Sequence, residues 1–373
     1  MKKQLILPHK RIIGRWQFSL LAIFTLCMMI VLSACSTQKT TSSPPNYSSA
    51  SLNMPVIDVS LKSQGNMQLE TFQQWITLVK QNGGDTTTYQ QQYDTDQLAL
   101  QNAKTRQAYT TTLNTLVTQV DAIKFPAMKT EDLNLQHKLQ QQVQRWGKQH
   151  TFYNSYDNTT YPLGYEYDDK GIGGWAQDDL NSAQTLADYQ QAIENVQMYL
   201  SNFQAMTDNT HDQTAYNLPH KSDLELMKHY NKLKGKVVVV SLEEQAMRVY
   251  DKGKLVNAFL VTTGRPDRPS IPGVWWIEGK QAHTVFKAGV PKSDPGYYPD
   301  TPINFAMQYH SNGYFIHDSW WRNDYGPGTN FPHQDSSGDI FSSQGSHGCV
   351  NISKSNAGWL FNYVQVYTSI IIY

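Results

Sequence analysis

The residues best suited to chemistry lie near the C-terminus, in the run Ser346–Asn351, which reads Ser-His-Gly-Cys-Val-Asn. A cysteine thiolate attacks acyl carbonyls readily, and a neighbouring base or positive charge brings the thiol pKa toward neutrality. His347 stands two residues before Cys349, and His317, in an Ile-His-Asp sequence, ends a strand-like run upstream. These residue types predict a cysteine acyl-transfer site with Cys349 as the nucleophile and His317 as the base.

The same motif resembles that of a known family. A Ser-His-Gly-Cys-hydrophobic-Asn run near the C-terminus, with Ile-His-Asp upstream, is similar to the L,D-transpeptidase catalytic domain of bacterial cell-wall enzymes, also called the YkuD domain. The resemblance covers roughly Leu233–Tyr373 and includes the stretches Leu260–Gly264 and Ile271–Gly273. It implies a curved, sandwich-like sheet as the fold.

The resemblance also implies a reaction and a substrate. Cys349 would attack a donor stem peptide of peptidoglycan, at the bond between the L-configured centre of the third residue and the terminal D-Ala. D-Ala would leave, a thioester would remain on Cys349, and an amine of an acceptor stem would resolve the thioester into a cross-link. His347 would organise the site rather than act as the base. A carbapenem would add covalently to the thiol.

Other residues near the motif have expected roles in the same site. The backbone N–H groups of Gly348 and Cys349 are the expected donors to the oxyanion, and the missing Cβ of Gly348 permits an unusual backbone conformation. Asp318 would orient His317 through either its side chain or its backbone carbonyl. The residues expected to shape the pocket or to touch substrate are Ser346, Asn351, Asp318, Trp320, Trp321 and Tyr325.

An inserted segment separates the two parts of the predicted site. Between His317 and Ser346 lie 28 residues, more than the family usually has, and Gly326-Pro327-Gly328 cannot continue a regular element. A long loop of this kind is usually functional. We consider two structures for it: a lid that excludes water from the thioester, or a rigid surface excursion whose aromatic residues pack on the sheet. The loop also carries His333, a competing candidate for the base.

A metal site is the alternative use of the same side chains. His317, His333, His347 and Cys349 include the ligand types of a zinc shell. However, His347 and Cys349 are separated by a single residue, and the chain shows no familiar ligand spacing. The sequence therefore predicts neither a metal nor another cofactor.

The N-terminus has the pattern of an export signal. Five basic residues up to Arg15 precede an uncharged stretch from Trp16 to Ala34, and the sequence ending at Cys35, Leu-Ser-Ala-Cys, resembles a lipoprotein lipobox. Cys35 is expected to carry lipid, with an uncleaved membrane anchor as the alternative. Either way, the body of the protein is expected outside the cytoplasm, attached to the membrane and facing the cell wall.

The number of cysteines and the net charge reduce the range of functions that the protein could have. Of the three cysteines, Cys27 would leave with the signal and Cys35 would be lipidated, so Cys349 would be the sole thiol of the exported body. A lone thiol in an oxidising compartment is a liability without a function, which favours catalysis. The formal net charge of zero gives no reason to expect a nucleic-acid partner.

The pattern along the chain predicts a multidomain α+β protein. Apolar residues first recur at three- and four-residue steps, as in Leu186–Phe203, and near Lys234-Gly235 the period changes to two. The predicted parts are a signal or anchor at 1–35, a flexible Ser/Thr/Pro-rich tether at 36–65, a helical domain of unknown role at 66–233, and a mainly antiparallel β catalytic domain at 234–373.

The sequence also predicts the structure of two short segments and the function of the whole protein. The segment 152–174, rich in Gly, Tyr, Asn and Asp, is expected as a long loop, and Lys354–Tyr363 as a short helix. The expected function is that of a peptidoglycan L,D-transpeptidase. The alternatives are an L,D-carboxypeptidase, in which water resolves the thioester, and a catalytically inactive wall-binding surface lipoprotein.

Overall fold

The computed structural model describes residues 57–294 and 296–373. The predicted export signal, Cys35 and the tether up to residue 56 lie outside the described residues. Among the residues that are described, no helix is long and apolar enough to cross a membrane.

Helices form the first half of the described chain. Apolar stripes at helical spacing bury one face of each long helix, and Thr105 and Thr185 cap the starts of two of them with their side-chain oxygens. The helices are α1 (Val59–Gln81), α2 (Thr87–Asn102), α3 (Arg106–Gln149), α4 (Ile172–Ser182), α5 (Leu186–Asn209) and α6 (Lys221–His229).

The long helix α3 connects two hydrophobic cores. Its 44 residues correspond to a length of about 66 Å. The first half, including Leu116 and Ile123, packs against α1 and α2. The second half, including Leu139 and Val143, joins a larger core that also contains α5, α6 and the β-strands that follow. The helical region therefore shares a core with the sheets.

The segment expected as a long loop at 152–174 has structure of its own, so that expectation was wrong. It contains the antiparallel hairpin β1 (Thr151–Asn154) and β2 (Thr159–Pro162), followed by a 3-10 turn at Tyr165–Tyr167. Asn158 adopts a left-handed φ of 56°, a conformation that Asn tolerates better than most residues and that closes the hairpin.

Two sheets form the second half, and the predicted α+β class with a mainly antiparallel β part is confirmed. One sheet has the order β5-β4-β3-β11-β6 and the other has the order β10-β9-β8-β7; only the β11–β3 and β10–β9 pairs are parallel. The predicted helix at Lys354–Tyr363, α7, is also confirmed. The strands are β3 (Lys236–Ser241), β4 (Ala246–Asp251), β5 (Lys254–Leu260), β6 (Gly273–Trp276), β7 (Gly279–Phe286), β8 (Thr301–His310), β9 (Tyr314–Asp318), β10 (Val350–Ile352) and β11 (Ser369–Ile372).

A buried ionic network fixes the last helix of the helical region to the first sheet. Arg248 of β4 is fully buried and pairs with Asp223 of α6, with Nε 2.5 Å from Oδ2, and with Glu244 at 2.9 Å. The hydroxyls of Tyr250 and Tyr373 both donate to Asp223, each at 2.6 Å. Because Arg248 and Asp223 are both buried, removing either one would leave the other charge buried without its main ionic partner.

Candidate active site

The sheet topology brings the two predicted catalytic residues to neighbouring strands. Strand β9 carries His317, and β10 begins directly after Cys349. The two strands are parallel, with Asn351 opposite His317. Because residues directly opposite each other in neighbouring strands point to the same face of a sheet, the side chains of Asn351 and His317 lie on one side of this pair. Cys349 is two residues before Asn351 along the chain. The Cys349 Sγ lies 3.8 Å from the carbonyl oxygen of Gly313, which precedes β9.

Hydrogen bonds inside the Ser346–Asn351 run hold the cysteine in a tight turn. The Ser346 Oγ accepts from the Gly348 N–H at 3.1 Å and donates to the Cys349 carbonyl at 2.5 Å. Gly348 has a φ of +111°, and a Cβ at this position would lie 2.8 Å from the ring of Tyr314. Only glycine fits both the backbone conformation and the space.

A second segment, Thr262–Ser270, clamps this turn from the side. The Ser346 N–H donates to the Thr263 carbonyl at 2.9 Å, and the Arg265 N–H donates back to the Ser346 carbonyl at 3.1 Å. The Ser270 Oγ donates to the Gly348 carbonyl at 2.8 Å. Neither Ser270 nor Arg265 is predictable from the sequence, because nothing in the local pattern shows that these residues contact a motif some 80 residues away.

His317 is buried, and both of its ring nitrogens have partners. Nδ1 donates to the backbone carbonyl of Asp318 at 2.9 Å, so Nε2 carries the lone pair and accepts from the Asn351 side-chain amide at 3.0 Å. The carboxylate of Asp318 does not reach the ring. It accepts instead from the backbone N–H groups of Asn304 and Phe305, at 2.8 and 2.7 Å. Of the two ways considered for Asp318, the structure therefore shows the carbonyl contact.

The electrostatic environment favours neutral groups at the centre of the site. Burial raises the pKa of the Cys349 thiol to about 11, although the Phe315 N–H partly offsets this effect. Burial lowers the pKa of His317 to about 4, against the opposing influence of Asp318. At neutral pH the resting site therefore holds a thiol and a neutral imidazole rather than a thiolate–imidazolium pair. Such a site needs proton transfer during the attack.

This environment predicts an unusual pH dependence for alkylation of Cys349. Since the thiolate is the reacting form, its fraction falls about tenfold for each pH unit below the raised pKa. Alkylation by iodoacetamide, followed by peptide mass spectrometry, should rise about 10³-fold between pH about 7 and about 10 without levelling off. In the denatured protein, the rate at the same peptide should level off above pH about 8.5. A plateau near that value in the folded protein would contradict the raised pKa of the Cys349 thiol.

His347 lies at the rim of the turn. Its Nε2 accepts from Arg265 Nη1 at 3.2 Å, and its ring centroid lies 5.3 Å from that of Tyr298. Partial burial and the positive charges of Arg265 and Arg268 lower the pKa of His347 to about 4. The histidine is thus a neutral acceptor that connects the motif to the Thr262–Ser270 segment.

The aromatic residues expected at the pocket occupy different environments. Trp321 lies beside the base, with its ring centroid 6.1 Å from that of His317. Trp320 is 54% exposed, and its Nε1 donates to the Pro302 carbonyl at 2.9 Å. The Tyr325 hydroxyl bonds to the side-chain oxygen of Ser319 at 2.9 Å, within the loop itself. Of these three, the structure brings Trp321 to the predicted base.

The inserted loop is anchored to the hairpin of the helical region. Phe331 is 1% exposed, and its ring stacks on those of Phe152 and Tyr161 with centroids 4.9 and 4.7 Å apart. The Asn154 side chain donates to the Pro332 carbonyl at 2.7 Å. These contacts favour the rigid excursion over the mobile lid.

His333 shares this local framework. Its Nδ1 donates to the Phe331 carbonyl at 2.8 Å, and its Nε2 lies 3.9 Å from the Asp335 carboxylate. The partners found for His333 are thus within its own loop, whereas His317 bonds to the motif. Among the described residues, the histidines and Cys349 do not gather into a group that could hold a metal ion.

The anchored loop predicts that Phe331 is structural. Phe331→Ala should lower the free energy of unfolding by about 3–5 kcal/mol, since it removes a fully packed ring and leaves a cavity. Urea unfolding followed by tryptophan fluorescence measures this change. The control is Phe341→Ala, at a phenylalanine that is 51% exposed, which should stay within about 0.5 kcal/mol of the parent. Equal stability of both variants would instead favour the mobile lid.

The comparisons with known proteins concern the part of the chain that carries this site. The family model of the L,D-transpeptidase catalytic domain, YkuD, matches residues 235–372. The chain is 27% identical over 116 residues to L,D-transpeptidase 2 of Mycobacterium tuberculosis, covering 30% of this chain and 25% of that protein. It is 26% identical over 136 residues to L,D-transpeptidase 1 of the same species, covering 34% of this chain and 46% of that protein.

Among solved structures, the catalytic domain of the Enterococcus faecium L,D-transpeptidase is 28% identical, with a TM-score of 0.30, covering 38% of this chain and 98% of that one. The chain spans between a quarter and a half of the length of the two curated relatives. The family match coincides with the two sheets and with the residues that hold Cys349 and His317. Residues 235–372 of this chain therefore match the L,D-transpeptidase catalytic domain, YkuD, and the preceding residues lie outside that match.

Proposed function

We propose that this protein is a peptidoglycan L,D-transpeptidase that forms a thioester on Cys349. The proposal is supported by the pairing of β9 with β10, in which His317, in a single tautomer, bonds to Asn351, two residues after Cys349. The donor is a stem peptide that ends in D-Ala, and the acceptor is a side-chain amine of a second stem. The match to the L,D-transpeptidase catalytic domain supports both substrates.

In the acylation step, the thiol proton moves as the sulfur attacks. The lone pair on His317 Nε2 takes the proton after the Asn351 amide turns away, the S–C bond forms, and the carbonyl oxygen becomes an oxyanion. Because the Gly348 N–H already donates to Ser346, we assign the Cys349 N–H as the donor to the oxyanion. The C–N bond then breaks, and the imidazolium returns its proton to the departing D-Ala amine.

The second step reverses the roles of the groups. The acceptor amine attacks the thioester, a C–N bond forms, and the C–S bond breaks. His317 takes the proton from the amine and passes it to the sulfur, which restores the resting thiol. The energy of the thioester supports this transfer without a nucleotide cofactor.

Mass spectrometry of muropeptides incubated with the protein tests the proposal. Disaccharide tetrapeptides should yield cross-linked dimers with the loss of one D-Ala per cross-link. Tripeptide without dimer would assign the protein as an L,D-carboxypeptidase. Unchanged muropeptides would support the inactive wall-binding alternative and overturn the proposed function.

We propose further that the enzyme acts outside the cytoplasm, attached to the membrane and facing the cell wall. The support comes from the basic N-terminus, the uncharged stretch that follows it and the Leu-Ser-Ala-Cys35 sequence. Mass spectrometry of the mature N-terminus would distinguish a lipidated Cys35 from an uncleaved anchor.

A further inference from the structure

We propose that the helical region positions the nucleophile through Tyr165, a residue outside the L,D-transpeptidase domain. The inference rests on the proposed function, because it assigns a role in forming the Cys349 thioester. Tyr165 is a positioning residue: it touches neither the thiol nor the base, and it acts through the segment that clamps the turn.

The Tyr165 hydroxyl reaches into the catalytic domain and is buried there. It donates to the Gly264 carbonyl at 2.7 Å and accepts from the Asn330 side-chain amide at 2.9 Å. The ring packs edge-on against Phe331, with centroids 5.9 Å apart. A single residue of the helical region thus bonds both to the clamp and to the inserted loop.

The carbonyl that Tyr165 holds belongs to a peptide unit that also holds the catalytic turn. The Gly264 C=O and the Arg265 N–H lie in the same planar unit, and that N–H donates to the Ser346 carbonyl at 3.1 Å. The Ser346 Oγ in turn donates to the Cys349 carbonyl at 2.5 Å. Hydrogen bonds in a buried series polarise one another, so each orients the next.

A second series of hydrogen bonds runs from Gly264 to the Gly348 end of the cysteine turn. The Gly264 N–H donates to the Ser270 Oγ at 3.0 Å, and Ser270 donates to the Gly348 carbonyl at 2.8 Å. Gly264 leaves no room for a side chain: a Cβ there would lie 2.2 Å from the Arg268 carbonyl oxygen and 2.5 Å from the Ser270 nitrogen. A displacement of Gly264 would therefore move both sides of the cysteine turn.

This arrangement gives the helical region a direct part in catalysis. A shift of the reacting atoms by about 1 Å can cost about 10² in rate, even when the altered residue lies away from the chemistry. The catalytic domain alone would lack the hydroxyl that orients the 264–265 peptide unit. We infer that the turn takes its reactive geometry when the 3-10 turn that carries Tyr165 is docked.

The test uses Tyr165→Phe in the full chain, which removes the hydroxyl and keeps the ring. The rate of covalent addition of a carbapenem at saturation, followed by intact mass, should fall about tenfold, the scale of one buried hydrogen bond. The carbapenem concentration that gives half the maximal rate should stay within about twofold, because the binding surface is unchanged. The rate at which iodoacetamide alkylates Cys349 at a fixed pH should also differ between Tyr165→Phe and the parent protein.

The matched control is Tyr230→Phe. That hydroxyl is also buried in the helical region, where it donates to Asn202 at 2.6 Å. The control should lower the melting temperature as Tyr165→Phe does, yet leave both the addition rate and the alkylation rate within about twofold of the parent. Equal losses of rate in the two variants would overturn the inference in favour of a purely structural role.

A double-mutant cycle tests the route through Gly264. Ser270→Ala should also slow carbapenem addition. The rate loss in the variant that combines Ser270→Ala with Tyr165→Phe should be smaller than the product of the two single rate losses, because both substitutions act on one turn. Multiplicative effects, or a parental rate in Tyr165→Phe, would overturn the inference.

The same experiments separate a failure of the proposed function from a failure of the positioning role of Tyr165. In that case the parent protein itself would form no carbapenem adduct, and the alkylation rate alone would decide the positioning role. Parental alkylation in Tyr165→Phe would overturn that role, and a changed rate would support it. If Tyr165→Phe does not fold, Ser270→Ala supplies the same two readouts.

Discussion

Cys349→Ala is expected to abolish acyl-enzyme formation. In the proposed mechanism the nucleophile is the Cys349 sulfur, which lies 3.8 Å from the Gly313 carbonyl oxygen. With a methyl group in its place, no bond to the substrate can form, so intact mass spectrometry should show neither a stem-peptide thioester nor a carbapenem adduct. Cross-linked dimers should be absent from the muropeptide digest.

The same variant serves as its own test of folding. Because the polar contacts found for the Cys349 thiol, with the Gly313 carbonyl and the Phe315 N–H, are weak ones to sulfur, the circular dichroism spectrum and melting temperature of Cys349→Ala should match those of the parent. Retained turnover in a folded Cys349→Ala protein would contradict the thioester mechanism, whichever other residue then acted as the nucleophile.

The second large effect is expected for His317→Ala. Loss of a positioned general base lowers rates by about 10²–10⁴. Here the loss should fall at the upper part of that range, because the thiol pKa of about 11 leaves little spontaneous thiolate at neutral pH. Single-turnover addition of a carbapenem, measured by stopped-flow absorbance, reports this step directly.

His333→Ala is the matched control for the base. His333 bonds to Phe331 within the inserted loop, so its removal should leave the addition rate within about threefold of the parent. Raising the pH should restore part of the activity of His317→Ala, since hydroxide then supplies the thiolate that the imidazole no longer generates. A larger loss of rate in His333→Ala than in His317→Ala would instead assign the role of the base to His333 in the inserted loop.

Local sequence patterns were sufficient for the elements that carry the motif. The alternation ending at His317 predicted a strand close to the observed β9, and the apolar spacing after Ser353 predicted α7. These elements follow from their own residues, because a period of two or of 3.6 is a property of a short stretch. The placement of Cys349 beside the base strand required the family resemblance in addition.

The parts that the sequence did not predict depend on contacts between distant residues. Strand β8 contains Pro302 and a mixed polar pattern, and its pairing with β7 and β9 stabilises it instead of a strong local preference. The contact between Tyr165 and Gly264 joins residues 99 positions apart. No periodicity in either segment indicates the other, so only the folded chain shows that the helical region reaches the catalytic turn.

The position of β11 governs when the catalytic domain is able to assemble. This strand lies between β3 and β6, parallel to one and antiparallel to the other, although both precede it by a long stretch of chain. Until it arrives, each of those strands presents an edge without a partner, and such edges promote association with other chains. Pairing over such long separations is also slow. Chaperone protection during synthesis therefore matters most for this part of the protein.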